Sequence, residues 1–282
     1  MSEALFARRV PLARRRLTIH APAGDYAFSR YKRGKGFRAY QALCRGLLAP
    51  DSVVLDVGAN IGLSTLVAAE LVPRGRVIAV EGAPRNFSAL SRNIADHAAG
   101  VATPVHCAVG AKAGEVAFID NSAFGHVSAP ESMIPLPSTR VRARPIDDIV
   151  AWQGLERVDF IKIDIEGFEQ DALIGAEATL ARFDPVVFLE FNTYCQIALY
   201  DRSPRRFLDW LMARFSQLHA WREGRLVSVH EIGAVRFLQT NMTDRRCNDD
   251  LVAVRAGEKL EGLRRLPPRG GLVKRLARRL KG

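Results

Sequence analysis

The sequence predicts an α/β fold: an open, doubly wound sheet of seven strands, mostly parallel, with an antiparallel edge. Three observations predict it. Short apolar runs alternate with amphipathic, helix-spaced segments from residue 53 to residue 191, the pattern of a parallel sheet with right-handed crossovers. The first run, 53–57, ends in a turn carrying Gly58 and Gly62 and then passes into a helix pattern. The run 185–191 is apolar throughout, as a strand covered on both faces must be.

The elements follow in order. Residues 1–25 are basic and broken by Pro and Gly, which suits a loose arm or a short strand over 16–20. Helical spacing over 28–48 stops before Pro50. Then come strand 53–57, helix 62–72, strand 76–80, helix 84–98 and strand 103–109. Short strands at 115–119 and 139–144 flank a Ser/Pro-rich loop, 121–138. A short helix at 147–152 leads to strand 158–163, helix 167–183 and strand 185–191. After a helix at 204–216, the runs 217–221, 225–229 and 251–254 suggest the antiparallel addition. The chain divides into a basic arm (1–27), one α/β domain (28–260) and a basic tail (261–282), with no internal repeat.

Charge is concentrated at the ends. Of 41 basic and 30 acidic residues, residues 1–16 hold five and one, and residues 263–282 hold eight and none. The stretch between is left with 28 basic against 29 acidic residues and is close to neutral, so a nucleic-acid-binding surface on the fold is not expected. Cys44, Cys107, Cys195 and Cys247 are widely spaced, without a C-x-x-C pair, which argues against zinc or a disulfide framework and suits a reducing cytoplasm. No signal peptide is apparent, and no stretch nears the roughly 20 apolar residues that span a bilayer.

Residues 53–62 (VVLDVGANIG) carry the most information. Glycine at a strand-to-helix turn lets backbone approach a ligand, and the helix N-terminus offers free N–H groups. Nineteen residues beyond Gly62, the second apolar run ends in Glu81, where a carboxylate can accept hydrogen bonds from both ribose hydroxyls. The unit reads as a nucleoside site. A dinucleotide site wants a glycine where Asn60 stands, and no Walker lysine follows, so a phosphate-free nucleoside fits better. That points to S-adenosylmethionine. Asp56, Gly58, Ala59, Asn60 and Gly62 would surround its amino acid end and ribose, Glu81 would hold the ribose, and Gly82 and Ala108 would flank adenine.

Three blocks, LDVGANIG (55–62), AVEGAP (79–84) and FIKIDIEGFE (160–169), resemble the FkbM-type S-adenosylmethionine-dependent methyltransferases over roughly residues 30–255. The last block is the most specific. One departure is Gly82, where that family often has proline. The resemblance implies a Rossmann-like class I methyltransferase fold and methyl transfer to a hydroxyl of a sugar, glycan, glycolipid or natural product.

For chemistry, Asp164 ends the fourth strand at the crevice and is the first candidate base, with Glu166 beside it. His126, in the 121–138 loop, is the second candidate base. Glu169 reads as solvated or structural, and Lys162 as the partner of a neighbouring carboxylate. The metal-free reading is preferred, although Asp164, Glu190 and Asn192 offer an all-oxygen set that would suit Mg²⁺. Tyr194 and Tyr200 are possible acceptor-pocket residues. Loops 121–138 and 192–204 would form that pocket, and the acceptor's identity and the oligomeric state stay open. Two rivals remain: N-methylation, which lacks the expected N-P-P-Y motif here, and a non-catalytic or RNA-binding module using the tail. In that tail, Leu272, Val273, Leu276 and Leu280 recur at helical spacing among five cations, a pattern able to lie on an anionic membrane at the inner face.

Overall fold

The computed structural model describes residues 5–12, 15–24, 37–119, 125–128, 138–255 and 257–260. The strands are β1 (Leu5–Leu12), β2 (Arg15–Pro22), β3 (Val53–Val57), β4 (Arg76–Glu81), β5 (Ala102–His106), β6 (Ala108–Val109), β7 (Gly114–Ile119), β8 (His126–Val127), β9 (Thr139–Arg144), β10 (Phe160–Ile163), β11 (Val186–Asn192), β12 (Gln217–Arg222), β13 (Arg225–Ser228) and β14 (Asn248–Val254). The helices are α1 (Arg38–Leu47), α2 (Leu63–Leu71), α3 (Pro84–His97), α4 (Ile146–Trp152), α5 (Glu169–Ile174), α6 (Glu177–Phe183), α7 (Thr193–Tyr200), α8 (Pro204–Arg214), α9 (Val229–Ile232) and α10 (Ala234–Thr243).

The central sheet runs β13-β12-β14-β11-β10-β3-β4-β5. Its five members β11, β10, β3, β4 and β5 pair in parallel, and β14, β12 and β13 add an antiparallel edge. The expected doubly wound sheet is therefore present, with eight strands rather than seven. A second sheet, β6-β9-β7-β8, was not anticipated. The expected strand 103–109 splits after His106, and its last two residues leave the main sheet to pair with β9.

Because side chains alternate across a strand, odd and even positions feed two separate cores. Val54, Ala79, Phe160, Phe188 and Val252 face α1, α2 and α3, whereas Leu55, Ile78, Ile161, Leu189 and Leu251 face the opposite layer with α4, α8 and α10. The hairpin β1–β2 covers the first face. Val10, Leu12, Ile19 and Ala21 are buried there, and the His20 N–H donates to Asn93 Oδ1 of α3 at 2.8 Å. The basic segment 1–27 thus contains a docked hairpin, while residues 261–282 lie outside the described residues.

Three helical expectations changed. The helix expected over 28–48 is described from Arg38, and 28–36 lie outside the described residues. The helix expected over 167–183 breaks into α5 and α6 at Gly175, where a Cβ would stand 2.3 Å from the carbonyl oxygen of Gly110. Segment 192–204, read as loop, holds α7, capped by Asn192 Oδ1 accepting from the Cys195 N–H.

Parallel strands place their carboxyl ends on one rim. Along the chain β3 is followed by β4 on one side, whereas β10 lies on its other side, so the sheet order reverses between β3 and β10. Ligand crevices of open α/β sheets form at such a point. Gly175→Ala should lower unfolding free energy by about 1–3 kcal/mol through overpacking, read by urea denaturation; unchanged stability would show that the α5–α6 junction is slack.

Candidate active site

The crevice above β3 and β10 opens into a cavity of about 460 Å³. One wall comes from the turn after β3. Gly58 has φ +74°, and a Cβ there would sit 1.8 Å from the carbonyl oxygen of Asp164, so this glycine is required by the backbone that follows β10. Asn60 adopts φ +52°, which asparagine tolerates better than most residues. Its side-chain oxygen accepts from the N–H of Ile61 at 2.7 Å.

Glu81 is buried and fixed by backbone. Oε2 accepts from the Asn60 N–H and Oε1 from the Ala83 N–H, each at 2.8 Å. Gly82 leaves room for Phe118, whose ring would lie 2.7 Å from a Cβ at that position. Ala59, Asn60, Glu81, Gly82 and Ala108 line the cavity together with Gly58. Asp56 and Gly62 stand behind it. Asp56 is fully buried and accepts from Ser64 Oγ and Thr65 Oγ1 in the first turn of α2, while Gly62 begins α2 in the left-handed region.

Lys162 ties the two halves together. Its ammonium donates to the carbonyl of Gly58 at 2.9 Å and lies 3.3 Å from Asp56 and 3.5 Å from Asp164. Burial alone would lower its pKa, but the two carboxylates outweigh that and hold it above its ordinary value. The expected ion-pair role is what the structure shows.

The opposite wall is acidic. Register places Glu190 of β11 opposite Asp250 of β14, and both line the cavity with Asp164 and Glu166. Burial, then the neighbouring Asp164, pushes the Glu166 carboxyl up to about 8. The same causes raise Asp250 to about 7 and lift Glu190 well above the usual carboxylate range. Glu166 has φ +55° and accepts a hydrogen bond from Cys195 Sγ at 3.2 Å. Glu190 accepts from the side-chain amides of Asn248 and Asn192.

Carboxylate oxygens of Asp164, Glu166 and Glu190 come within 4.8 Å of one another. Asn192, expected beside Asp164 and Glu190, has its carbonyl oxygen committed to capping α7, and Glu166 takes the third place in this oxygen set.

His126 lines the cavity from β8 and is buried, not exposed on a loop; its ring meets Tyr200 edge-on at 6.5 Å. The Tyr200 hydroxyl donates to the carbonyl of Val127, whereas Tyr194 is 64% exposed on the surface of α7. Glu169 is fully buried, and its Oε1 accepts from the N–H groups of Ile165 and Gly167, both at 3.1 Å. It is a structural clamp on the Glu166 loop and not a solvated group. Sequence reasoning missed Asp250 and Asn248 on β14, Tyr40 on α1 and Phe37 just before it, all of which line the cavity.

Residues 56–215 match the methyltransferase FkbM domain family. The chain belongs to that family. Among relatives of this FkbM chain, the 31-O-demethyl-FK506 methyltransferase FkbM of Streptomyces tacrolimicus is 30% identical over 161 residues, covering 46% of this chain and 61% of that protein. Methyltransferase sdnD of Sordaria araneosa is 28% identical over 162 residues, covering 46% and 62%. The AMB antimetabolite synthetase AmbE of Pseudomonas aeruginosa is 28% identical over 182 residues, covering 50% of this chain and 8% of that protein. The chain thus spans less than two thirds of each. Among solved structures, the methyltransferase FkbM of Methylobacillus flagellatus KT aligns at 21% identity over 56% of this chain and 42% of that one, with a TM-score of 0.39. The FkbM-matched span supplies Gly58, Glu81, Asp164, Glu166 and Glu190, whereas Phe37, Tyr40, Asn248 and Asp250 come from segments flanking it.

Burial, the largest cause, raises the Glu169 carboxyl from 4.5 to about 7, so its protonated form is the one the fold favours. Its contribution is fully present below about pH 4.5 and is lost as pH rises through 7, on the order of 3 kcal/mol at about 1.4 kcal/mol per pKa unit. Glu169→Gln, which keeps the accepting oxygen, should flatten the fall in unfolding free energy between pH 5 and 8; parallel profiles for the two proteins would refute this.

Proposed function

We propose that the chain transfers a methyl group from S-adenosylmethionine to a hydroxyl oxygen of a small-molecule or glycan acceptor. The observation that carries this reading is Glu81, fixed by two backbone N–H groups on one side of a cavity whose other wall is acidic. Five carboxylates around one cavity (Glu81, Asp164, Glu166, Glu190 and Asp250) disfavour a polyphosphate and favour a cationic nucleoside. That supports a sulfonium ligand over ATP or NAD.

When bound, S-adenosylmethionine supplies an electrophilic methyl on positively charged sulfur. Gly58, Ala59 and Asn60 would present backbone to its amino acid end, Glu81 would accept from the ribose hydroxyls, and Gly82 with Ala108 would bound the adenine. Alignment of the two reactants is the main task left to the protein, and good alignment is worth roughly 7–11 kcal/mol. The acceptor oxygen must also lose its proton as its bond to carbon forms. Glu166 is suited to take it, because a base is most effective with a pKa near the working pH. Asp164, held by the Lys162 ammonium and 42% exposed, would orient the acceptor hydroxyl. His126, on the wall contributed by β8, is the alternative base.

The acid wall bears on the acceptor as well. It favours a neutral or cationic hydroxyl compound and repels phosphorylated or carboxylated ones. The clustering of Asp164, Glu166 and Glu190 oxygens favours a second reading, in which a divalent cation bridges acceptor and protein. Mg²⁺ is bound through oxygen ligands of this kind.

Glu81→Gln should weaken S-adenosylhomocysteine binding about 10–100-fold by calorimetry, equal to losing one charge-assisted hydrogen bond of about 1.5–3 kcal/mol; unchanged affinity would remove the ribose assignment. Because Glu166 acts only when deprotonated, turnover should climb as pH rises through about 8 and then level. Glu166→Gln should abolish that rise and cut the rate about 10²–10⁴-fold, and a pH profile identical to the parent would transfer the role to His126. Turnover that survives EDTA supports the metal-free reading, whereas loss restored by Mg²⁺ would assign the carboxylates to a cation.

A further inference from the structure

On the methyl-donor reading, which is presupposed here, the cavity has to hold an α-carboxylate as well as a ribose. The turn after β3 cannot do so with its own N–H groups, because they are already used inside the protein. Those of Gly58 and Ala59 donate to the carbonyl of Val80, that of Asn60 to Glu81, and that of Ile61 to the Asn60 side chain. Gly62 donates back to the carbonyl of Ala59. This turn offers a ligand its carbonyls and its shape. A carboxylate needs N–H or O–H groups, and these must come from elsewhere on the wall.

Two neighbouring features supply them. The helix α2 begins at Gly62, which has no side chain to cap it. The first-turn N–H groups of Leu63, Ser64 and Thr65 have no intrahelical acceptor, and Leu63 and Ser64 line the cavity. Such a helix start is partly positive and favours an anion. The second feature is Tyr40 of α1, which lines the cavity and is only 7% exposed. Its hydroxyl has no hydrogen-bond partner of adequate geometry among the described residues. The thiol of Cys44, one turn further along α1, stands beside it and is a weak partner. A buried hydroxyl in this state is costly, and native proteins keep few of them.

Asp56 connects the two features. Its charge acts on the Tyr40 hydroxyl, and it accepts hydrogen bonds from Ser64 Oγ and Thr65 Oγ1 in the first turn of α2. Lys162 lies 3.3 Å from Asp56, so this corner is not left with an unbalanced negative charge. Burial first, then Cys44 and Asp56, holds the Tyr40 phenol well above its ordinary pKa, and it stays a hydrogen-bond donor. Its ring meets Phe37 edge-on at 6.1 Å and Phe188 at 5.6 Å, which fixes the direction of the phenol.

We propose that the Tyr40 hydroxyl and the first-turn N–H groups of α2 hold the α-carboxylate of the methyl donor. Tyr40 is then a binding residue contributed from outside the family-matched span, by a helix that precedes it. The hydroxyl left unsatisfied in the free protein is satisfied by the ligand. Ligands that lack the carboxylate gain nothing from it.

Calorimetry with two ligands tests this: S-adenosylhomocysteine, and S-adenosyl-3-thiopropylamine, which differs from it by the missing carboxylate alone. The parent protein should bind the first more tightly. Tyr40→Phe should weaken S-adenosylhomocysteine about 10–100-fold, the range for one hydrogen bond to a charged group, and leave the thiopropylamine within about twofold. The substitution keeps the ring and removes an unsatisfied hydroxyl, so the ligand-free variant should melt no lower than the parent by circular dichroism. Unchanged affinity for S-adenosylhomocysteine, an equal loss for both ligands, or a lower melting temperature would overturn the assignment of Tyr40. If the parent bound neither ligand, the methyl-donor reading itself would fall, and this assignment with it.

Discussion

The site rests on one buried cation. Lys162 reaches from β10 to the Gly58 carbonyl and to Asp56 and Asp164, joining the two strands between which the sheet order reverses. Removing it would leave Asp56 fully buried without its counter-ion, a loss that typically costs 3–5 kcal/mol. The close approach of Gly58 to Asp164 is then a consequence of that clamp: the two turns pack tightly enough that any side chain at 58 would collide with backbone. Cavity shape, loop conformation and the carboxylate positions all follow from this junction.

Against that rigid seam stands a wall of carboxylates that do not have enough cations. Lys162 is already shared between Asp56 and Asp164, and Glu166, Glu190 and Asp250 are raised because burial and mutual repulsion act together. Such a wall is unfavourable for stability and is therefore informative about chemistry, since perturbed groups converge where a ligand or a proton has to be handled. Glu169 belongs to a different class. Its hydrogen bonds go to the loop that holds Glu166, so it maintains the shape of that loop.

Much of this was legible in the sequence, for identifiable reasons. The apolar runs of β3, β4 and β10 and the acids at their tips obey strict local rules, so Asp56, Glu81 and Asp164 were placed correctly on strand ends. Other features depend on distant partners. Asp250 joins Asp164 only because β14 pairs with β11 in one register, and a one-residue slip would turn it to the other face. The break at Gly175 is imposed by the Gly110 carbonyl, which no local pattern encodes. Segment 193–200 is only eight residues long and weakly amphipathic, so its helix had no periodic signature. His126 read as a loop residue because a strand two residues long leaves almost no alternation to recognise.

The cavity is also divided by origin. Gly58, Glu81, Asp164, Glu166 and Glu190 come from the family-matched span, while Phe37 and Tyr40 before it, and Asn248 and Asp250 after it, complete the lining. Phe37 and Tyr40 stand at the start of α1, and Asn248 and Asp250 on β14 of the antiparallel edge. The pocket thus has two sources along the chain, and exchanging side chains at its flanking positions would alter the pocket lining without changing a single residue of the family-matched span.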